Sequence, residues 1–399
     1  MAFQSVELGT VSTKIDYGLT ASATRQRTGT KFVRITDLQN DGIDWARVPY
    51  CECGASDTRQ YHLTQGDILF ARTGSVGKTC LINESPPGAV FASYLIRISP
   101  NVDIIDPRFL SYFFQTAEYW RQIANVAVGG IQQGVNATKL GELRVPLPPL
   151  PEQERIAGIL EKADRLRRMR RYARELSETF LQAVFVRIFG EPARNEKRWT
   201  VVLVEDVLSH DRPGTQTGPF GSSLKRHEYV GNGIPVWGIN NLGDGDLVEV
   251  GSLFITPEKY RDLSGYSVED GDILISRAGT VGRMCVAHPS VRPSIIGTNL
   301  VRVALDTTVI TSEYFASVFN YFGNRIGRLR MSGDENAYSF LNPSVLRMLK
   351  IPLPDISVQN QFLKVMRKHQ RLRIQQREAE RQAEQLFQAL LKRAFLGAL

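Results

Sequence analysis

Two kinds of hydrophobic pattern alternate along this chain of 399 residues. After Pro149, and again after Asp355, apolar residues recur at alternating spacings of three and four, which predicts two long helices. Short apolar runs such as residues 31–35 and 67–71 are bounded by Gly, Asn and Asp, which is typical of short strands. The pattern therefore predicts a mixture of short strands and two dominant helices.

The second half of the chain repeats the order of the first. The motif Gly-Asp-Ile-Leu, followed by a Gly-x-Val-Gly turn, begins at Gly66 and again 205 positions later at Gly271. A proline-rich hinge at residues 145–151 returns at 351–354, each time with a glutamine shortly after it, at Gln153 and Gln359. Aromatic residues at helical spacing predict a helix at 107–126, and a similar group follows Tyr314. We interpret the chain as an internal duplication.

These patterns predict an α+β protein with two similar mixed α/β domains. The domains are expected at residues 1–148 and 191–354, with long helices at 149–190 and 355–399. The first helix leaves the first domain and reaches the second, and the second helix must run back. We therefore expect an antiparallel, coiled-coil-like spacer with a pseudo-twofold relation between the domains.

The expected contact seam of the spacer can be read from the spacing of three and four. On the first helix it comprises Ile156, Ile159, Ala163, Leu166, Arg170, Ala173, Ser177, Phe180, Val184 and Ile188. On the second it comprises Phe362, Val365, His369, Leu372, Gln376, Ala379, Ala383, Leu386, Leu390 and Ala394. Arg170 and Gln376 stand at equivalent places, and either they reach out to solvent or they form a polar layer that fixes the register.

The basic balance of the chain suggests a polyanionic partner. The formal net charge is +8 with a pI near 9.3, and the excess lies on the helices. The first helix carries a basic run of Arg165, Arg167, Arg168, Arg170, Arg171 and Arg174. Such a run is a solvated face, a contact for DNA backbone or a contact for an acidic protein surface.

Residues 74–79 resemble a phosphate-binding loop, but two observations argue against nucleotide hydrolysis. Arg72 stands where the loop needs a small residue, and the second copy has Arg283 and Met284 in place of the Lys and Thr. The glycines instead predict tight turns that expose Arg72, Lys78, Arg277 and Arg283 along one edge of each domain. These are either solvated turn residues or contacts for phosphates and bases.

No other pattern predicts catalysis or metal binding. The sequence shows no Ser/His/Asp set, carboxylate pair or methyl-donor motif, and Cys51 and Cys53 lack the second pair that a zinc site needs. Cys80 and Cys285 hold equivalent places and are expected to be buried in strands. We therefore expect a chain that is not an enzyme and has no metal site.

A membrane or secretory location is not indicated. No apolar run of about 18 residues could span a bilayer, and the N-terminal residues lack the basic and apolar blocks of a signal peptide. We expect a cytoplasmic protein.

In combination, these features resemble the specificity subunit of type I restriction-modification systems. They are the two proline-rich hinges, with Pro-Leu-Pro-Pro-Leu-Pro-Glu-Gln-Glu at the first, the two glycine turns, the two long helices and Gly-Pro-Phe-Gly-Ser-Ser-Leu-Lys at 218–225. The resemblance implies two target-recognition domains, each reading one half of a bipartite, asymmetric site in double-stranded DNA. It implies that the helices set the spacing and dock methyltransferase (modification) subunits, and that a restriction (translocase-nuclease) subunit joins. S-adenosylmethionine and ATP with Mg would bind those partners, with no cofactor in this chain. The second hinge departs from the pattern because residues 356–361 lack Pro-Glu-Gln.

The candidate DNA-binding residues are side chains that can reach bases or phosphates. They are Arg72, Lys78, Gln132 and Gln133 in the first domain, and Ser222, Ser223, Lys225, Arg277 and Arg283 in the second. For the two glutamines an ordinary polar loop is the alternative. Three other functions remain open at this point: the recognition subunit of a type IIB restriction-modification enzyme, a duplicated protein-binding scaffold and, least favoured, an NTPase.

Overall fold

The structure of the chain is a computed structural model that describes residues 3–39, 42–54, 58–126, 134–243, 245–278, 281–322 and 342–399. Helices and sheets are mixed throughout, as expected for the α+β class. The chain divides into two compact units. The first unit is Met1–Arg174 with Gln375–Leu399, and the second is Glu175–Ile374.

The first unit contains two four-stranded sheets and a two-stranded ribbon. Its strands are β1 (Ser5–Glu7), β2 (Ser12–Tyr17), β3 (Ala23–Thr24), β4 (Lys31–Val33), β5 (Tyr50–Cys51), β6 (Ile68–Ala71), β7 (Thr79–Leu81), β8 (Ala89–Phe91), β9 (Leu95–Pro100) and β10 (Arg144–Pro146). Its short helices are α1 (Pro107–Phe113), α2 (Ala117–Val126) and α3 (Ala137–Gly141). The sheet orders are β2-β9-β6-β7 and β3-β5-β4-β8, and β1 pairs with β10.

The two long helices are α4 (Leu150–Phe189) and α8 (Ile356–Phe395). The first part of α4 and the last part of α8 complete the core of the first unit. Phe70 on β6 and Phe109 on α1 belong to the same buried cluster as Leu160 of α4 and Phe387 of α8. Removing these side chains from water contributes roughly 1.5–3 kcal/mol each. The helices are therefore part of the domain's own core.

The second unit repeats this plan. Its strands are β11 (Thr200–Leu203), β12 (Thr215–Thr217), β13 (Ile234–Trp237), β14 (Gly245–Asp246), β15 (Leu253–Ile255), β16 (Ile273–Ser276), β17 (Met284–Val286), β18 (Ile295–Ile296), β19 (Leu300–Val303) and β20 (Lys350–Leu353), and its short helices are α5 (Pro257–Asp262), α6 (Ser312–Phe322) and α7 (Pro343–Arg347). The sheet order β12-β19-β16-β17 matches β2-β9-β6-β7. Even the register matches, because Leu69 faces Arg97 in one unit and Leu274 faces Arg302 in the other.

The first hinge is fixed by the fully buried side chain of Gln153. Its Nε2 donates to the carbonyl oxygens of Pro148 at 2.8 Å and Ile104 at 3.0 Å, and its Oε1 accepts from the Asp106 N–H at 2.9 Å. Asp106 caps the N-terminus of α1. One side chain therefore ties the hinge, the start of α4 and the start of α1 together.

Gln359 does the same at the second hinge, although the sequence around it has lost the Pro-Glu-Gln motif. It is also fully buried, and its Nε2 donates to the carbonyl oxygens of Pro354 at 2.8 Å and Val309 at 3.0 Å. Its Oε1 accepts from the Thr311 N–H at 2.8 Å, just ahead of α6. The two hinges are therefore equivalent in their hydrogen bonding.

Within each unit the two long helices run antiparallel. In the first unit, Arg167 contacts Glu384 and Arg174 contacts Glu380, so the position on α8 falls as the position on α4 rises. In the second unit, the His369 Nε2–H donates to the Ser177 carbonyl oxygen at 2.9 Å. Further along α4, the ring of Phe185 meets that of Phe362, with centroids 5.5 Å apart. The expected antiparallel direction is thus observed in each unit.

The expected seam on α4 is correct at Ile156 and Ala163, which are buried, but it is displaced by about one position further along the helix. Leu166, Arg170 and Phe180 are exposed, whereas Leu160, Leu181 and Phe185 are buried. The seam on α8 is more accurate, since Phe362, His369, Ala383 and Ala394 are buried as expected, while Leu372 and Leu386 are exposed. Because Arg170 is exposed, it reaches out to solvent and does not form a buried polar layer with Gln376.

Candidate nucleic-acid interface

In the first unit, the side chain of Arg72 lies on an aromatic ring. Arg72 follows β6, and its backbone N–H donates to the Tyr94 carbonyl oxygen at 3.1 Å. Its guanidinium lies 4.8 Å from the centroid of the Tyr17 ring, and Nη1 donates to the Ser93 carbonyl oxygen at 3.5 Å. The cation is thereby held against a ring that is itself 39% exposed.

The ring is brought to this place by the glycine that follows it. A Cβ on Gly18 would lie 2.3 Å from the Ala92 carbonyl oxygen, so only glycine permits this approach. The Tyr17 hydroxyl accepts a hydrogen bond from the Ala137 N–H at 2.9 Å. The position of the ring is therefore fixed at both ends.

The second unit presents the same arrangement with different residues. The Arg277 N–H donates to the Asn299 carbonyl oxygen at 2.9 Å, and the guanidinium lies 4.7 Å from the centroid of the Phe220 ring. A Cβ on Gly218 would lie 2.0 Å from the Gly297 carbonyl oxygen. Partial burial lowers the pKa of the Arg277 guanidinium from its ordinary value, yet an arginine remains charged at neutral pH.

The sequence comparison between the halves missed Tyr17 and Phe220. The segment 218–225 has no close counterpart in the sequence of the first half, but backbone hydrogen bonds show that Gly218 is structurally equivalent to Gly18. The N–H of Gly18 donates to the Leu95 carbonyl oxygen, and the N–H of Gly218 to the equivalent Leu300. The aromatic residue precedes the glycine in one unit and follows it in the other. An alignment of the two halves at a constant offset therefore does not pair Tyr17 with Phe220.

The other two cations expected at the turns are placed differently from each other. Lys78 is half-buried, and its Nζ donates to the Leu38 carbonyl oxygen. Arg283 is exposed, and its backbone N–H donates to Ser276 Oγ at 3.0 Å. Of this pair, Arg283 is the more exposed to solvent.

The remaining candidates of the second unit lie on one exposed loop. Ser222, Ser223 and Lys225 are all exposed and follow Phe220 along the chain. The Lys225 backbone N–H donates to the Glu228 carboxylate, which leaves the ammonium group facing solvent. Gln132 and Gln133 lie outside the described residues.

The basic run on α4 is divided between internal and exposed side chains. Asp164 accepts from Arg167 at 2.6 Å and pairs with Arg168 at 3.1 Å. The Arg167 guanidinium also lies 3.7 Å from the centroid of the Phe387 ring on α8. Arg167 therefore serves the packing of the helix pair.

Further along the run the pattern continues. Arg174 donates to Glu380 at 2.8 Å across the helix pair, whereas Arg165 and Arg170 are exposed. A pocket of about 470 Å³ opens beside these ion pairs, lined by Arg167, Arg171, Arg174, Arg377, Glu380, Arg381 and Glu384. The run is thus neither a uniform solvated face nor a uniform binding face.

A larger cleft lies in the first unit between α1, the turn after β6 and the first part of α4. Its volume is about 950 Å³, and its lining includes Lys78, Arg108, Arg168, Glu154 and Glu161. Basic and acidic side chains are both present in the lining. The charge of the lining therefore does not point to an anionic ligand.

Two buried arginines were also missed by the sequence reading. Arg97 makes a bidentate ion pair with Asp16 at 2.9 and 2.8 Å, and its equivalent Arg302 donates to the Ser267 and Pro213 carbonyl oxygens. Burial lowers the pKa of Arg302. Both side chains are almost fully enclosed, so they stabilise the sheets and do not reach a ligand.

The described ranges offer no obvious metal centre or reactive thiol. Within them, no three His, Cys, Asp or Glu side chains come together as a metal site. Cys80 and Cys285 are buried in β7 and β17, as expected, and burial raises their thiol pKa values to about 11 and about 12. Cys51 and Cys53 form a disulfide. In the same part of the chain, no helix combines the length and hydrophobicity needed to cross a membrane.

Comparison with known proteins finds a matching domain and similar chains. Residues 3–173 match the model of the type I restriction modification DNA specificity domain. The chain is 25% identical over 370 residues to MjaX of Methanocaldococcus jannaschii, a proposed type I restriction enzyme specificity subunit, covering 90% of this chain and 84% of the relative. It is 25% identical over 166 residues to the EcoKI specificity subunit of Escherichia coli, covering 40% of this chain and 36% of that one.

The fold comparison agrees. The crystal structure of the type I restriction-modification S subunit from M. genitalium superposes with a TM-score of 0.63 at 14% identity, over 98% of this chain and 96% of that one. A chain from a study of assembly and conformational transition in the type I system superposes with a TM-score of 0.57 at 20% identity, over 100% and 98%. Residues 3–173 thus match a type I DNA specificity domain, and the chain as a whole is similar in sequence and fold to specificity subunits of type I restriction-modification systems.

Proposed function

We propose that this chain is the sequence-specific DNA-recognition subunit of a type I restriction-modification complex, with each unit reading one half of a bipartite, asymmetric site. The observation that carries the proposal is the arginine held on an exposed aromatic ring in both units. Base edges are read by arginine and amide side chains, while other cations grip phosphates. The exposed Arg283 and Lys225 are suited to phosphate contacts in the second unit.

The proposal assigns no catalytic step to this chain. Methyl transfer from S-adenosylmethionine belongs to methyltransferase subunits, and ATP-driven translocation and cleavage with Mg belong to a restriction subunit. The similarity of the chain to type I specificity subunits supports this assignment of roles. A cytoplasmic location is part of the proposal, because the DNA that the complex reads lies there.

The long helices are proposed to set the distance between half-sites and to dock methyltransferase subunits. In the first unit, α4 turns Leu166, Met169 and Tyr172 to solvent, with exposed fractions of 39%, 58% and 62%. Apolar side chains spaced by three along one helix form a face suited to packing against another helix. Exposed apolar groups of this kind mark interaction sites in soluble proteins.

The relatives decide between the alternatives that the sequence left open. They carry the names of type I specificity subunits, so the type IIB assignment and the DNA-independent scaffold are replaced by the type I function.

The test is to express the chain with its methyltransferase subunit in a host that lacks other DNA methylation and to map every methylated position. We expect one two-part motif, with adenine methylated on both strands and a spacer of constant length. The matched control omits the chain and should leave the DNA unmethylated. Methylation without sequence preference, or of a single undivided motif, would contradict the proposal.

A further inference from the structure

The two units share an arrangement of three parts: an arginine, a backbone hydrogen bond that it donates, and an aromatic ring beneath its guanidinium. Each has an arginine directly after the central strand of its sheet, Arg72 after β6 and Arg277 after β16, 205 positions apart. Each arginine N–H donates to an equivalent carbonyl, that of Tyr94 or Asn299. Each guanidinium then rests on an aromatic ring carried by a different residue type at a different offset. The arrangement is preserved although the ring residue is not.

The ring restricts the guanidinium more than a solvated turn would. A stacked arginine keeps its charge and its planar fork of N–H donors, and it has already lost much of its rotamer freedom. That fork matches the O6 and N7 acceptors of guanine in the major groove, which a lysine or a mobile arginine matches less well. Preorganisation of this kind serves base reading, whereas a phosphate contact requires only a charge within reach.

The aromatic rings under both arginines are open to solvent, as a ligand-binding surface requires. The ring of Phe220 is 56% exposed and that of Tyr17 is 39% exposed, so both sites open to solvent. Across the described parts of the chain, the buried Nε of Arg72 makes no hydrogen bond. By contrast, the equivalent pair Arg97 and Arg302 is only 5% and 2% exposed, and its guanidinium groups donate to acceptors within the protein.

We propose that Arg72 and Arg277 are specificity-determining residues, each reading one guanine in its own half-site, and that Tyr17 and Phe220 are positioning residues that hold them in register. This inference rests on the proposed function and names the base that each unit requires. It assigns Lys78 a structural role, because its ammonium group is directed at the Leu38 carbonyl oxygen.

The test compares the methylated motif of the wild-type complex with those of Arg72→Gln and Arg277→Gln. Each substitution should lower the preference for guanine about ten-fold or more at one position of one half-site, with glutamine favouring adenine there. The other half-site and the spacer should be unchanged. Since the two variants alter opposite halves, each serves as the control for the other.

Two further variants separate reading from charge and from folding. Arg283→Gln removes an exposed cation from the same turn as Arg277 and should weaken binding at high salt while leaving the motif unchanged. Phe220→Leu should weaken the guanine preference at the Arg277 position, and Phe220→Tyr should restore it. If the Arg277→Gln complex gives no methylation, the methylated motif of Arg277→Lys is mapped instead, and the same loss of guanine preference is expected.

Two results would overturn the inference. One is a wild-type motif that lacks guanine in a half-site, and the other is an Arg72 or Arg277 variant that methylates the original motif with unchanged preference. A wild-type complex that yields no bipartite motif would instead overturn the proposed function. The two failures are thus distinguishable in one set of methylation maps.

Discussion

Two buried glutamines carry the geometry of the hinges. The prolines stiffen the approach to each long helix, but Gln153 and Gln359 connect that approach to the loop ahead of the neighbouring short helix. Each satisfies three backbone groups that would otherwise be buried without partners, and each such loss costs roughly 1–3 kcal/mol. The sequence identified both glutamines as repeated residues. It could not predict all of their partners, because one carbonyl and the N–H bound by each glutamine come from a segment about fifty positions away.

Single side chains also limited what the sequence could say about the site. Arg72 and Arg277 were found because they share an offset with the glycine turns. Tyr17 and Phe220 were missed because the aromatic residue lies before the glycine in one unit and after it in the other. The periodicity of the sequence does not predict that the two rings occupy equivalent places.

His369 gives a pH-dependent contribution to stability. It is buried between the helices of the second unit, stacked on Phe180 with centroids 5.3 Å apart, and burial lowers its pKa, with Arg373 lowering it further. The folded state therefore favours the neutral ring. This stability is fully present above the unfolded pKa of about 6.5 and is lost as pH falls through the lower folded pKa.

We expect denaturant unfolding of the wild type to show a midpoint that falls between pH 7.5 and pH 5. His369→Leu should remove part of that slope. An equally steep slope in the variant would assign the pH dependence to other groups. His288, which is exposed beside Asp270, provides the control position.

At the scale of elements, α4 explains why the seam was misplaced. The helix has apolar residues on two faces, one that packs inward through Leu160 and Phe185 and one that remains exposed through Leu166 and Met169. Both faces repeat with spacings of three and four, so periodicity alone fits either register. The sequence predicted the existence, length and direction of the helix. The choice of face depends on the domain core that the helix also covers.

The basic run on α4 should separate into structural and dispensable members. Arg167→Ala should lower the free energy of unfolding by about 1–3 kcal/mol, because it uncovers Phe387 and leaves the largely buried Asp164 with fewer partners. Arg170→Ala, an exposed member of the same run, should change it by less than about 0.5 kcal/mol. Urea denaturation of both variants measures the difference. Equal effects would contradict the division of the run.

At the scale of the whole molecule, the two units are assembled differently from the chain although their folds are alike. The second unit is one continuous segment, Glu175–Ile374, whereas the first combines Met1–Arg174 with Gln375–Leu399. The duplication was readable in the sequence from repeated motifs. The first unit also includes the last helical turns of the chain. This is visible only in the structure, where Phe387 and Leu391 are buried in the core of the first unit.

Removal of residues 375–399 should therefore damage the first unit more than the second. The deletion takes Phe387, Leu391 and Ala394 from the core of the first unit, while the second retains all of its residues. Limited proteolysis followed by mass spectrometry should find cuts concentrated within residues 3–174, with 175–374 protected. Equal protection of both segments would show that the helix end is dispensable for the first core.

The same division has a consequence for the order of events on the ribosome. Synthesis proceeds from the N-terminus, and domains generally fold as their residues emerge. Here the segment made first waits for Gln375–Leu399, so the second unit is the first to have all of its residues available. Residues 3–174 must meanwhile keep an unfinished apolar surface from aggregating. A pause in translation shortly before residue 375 would prolong that exposure. The nascent first unit therefore has the kind of apolar surface that a ribosome-bound chaperone would cover.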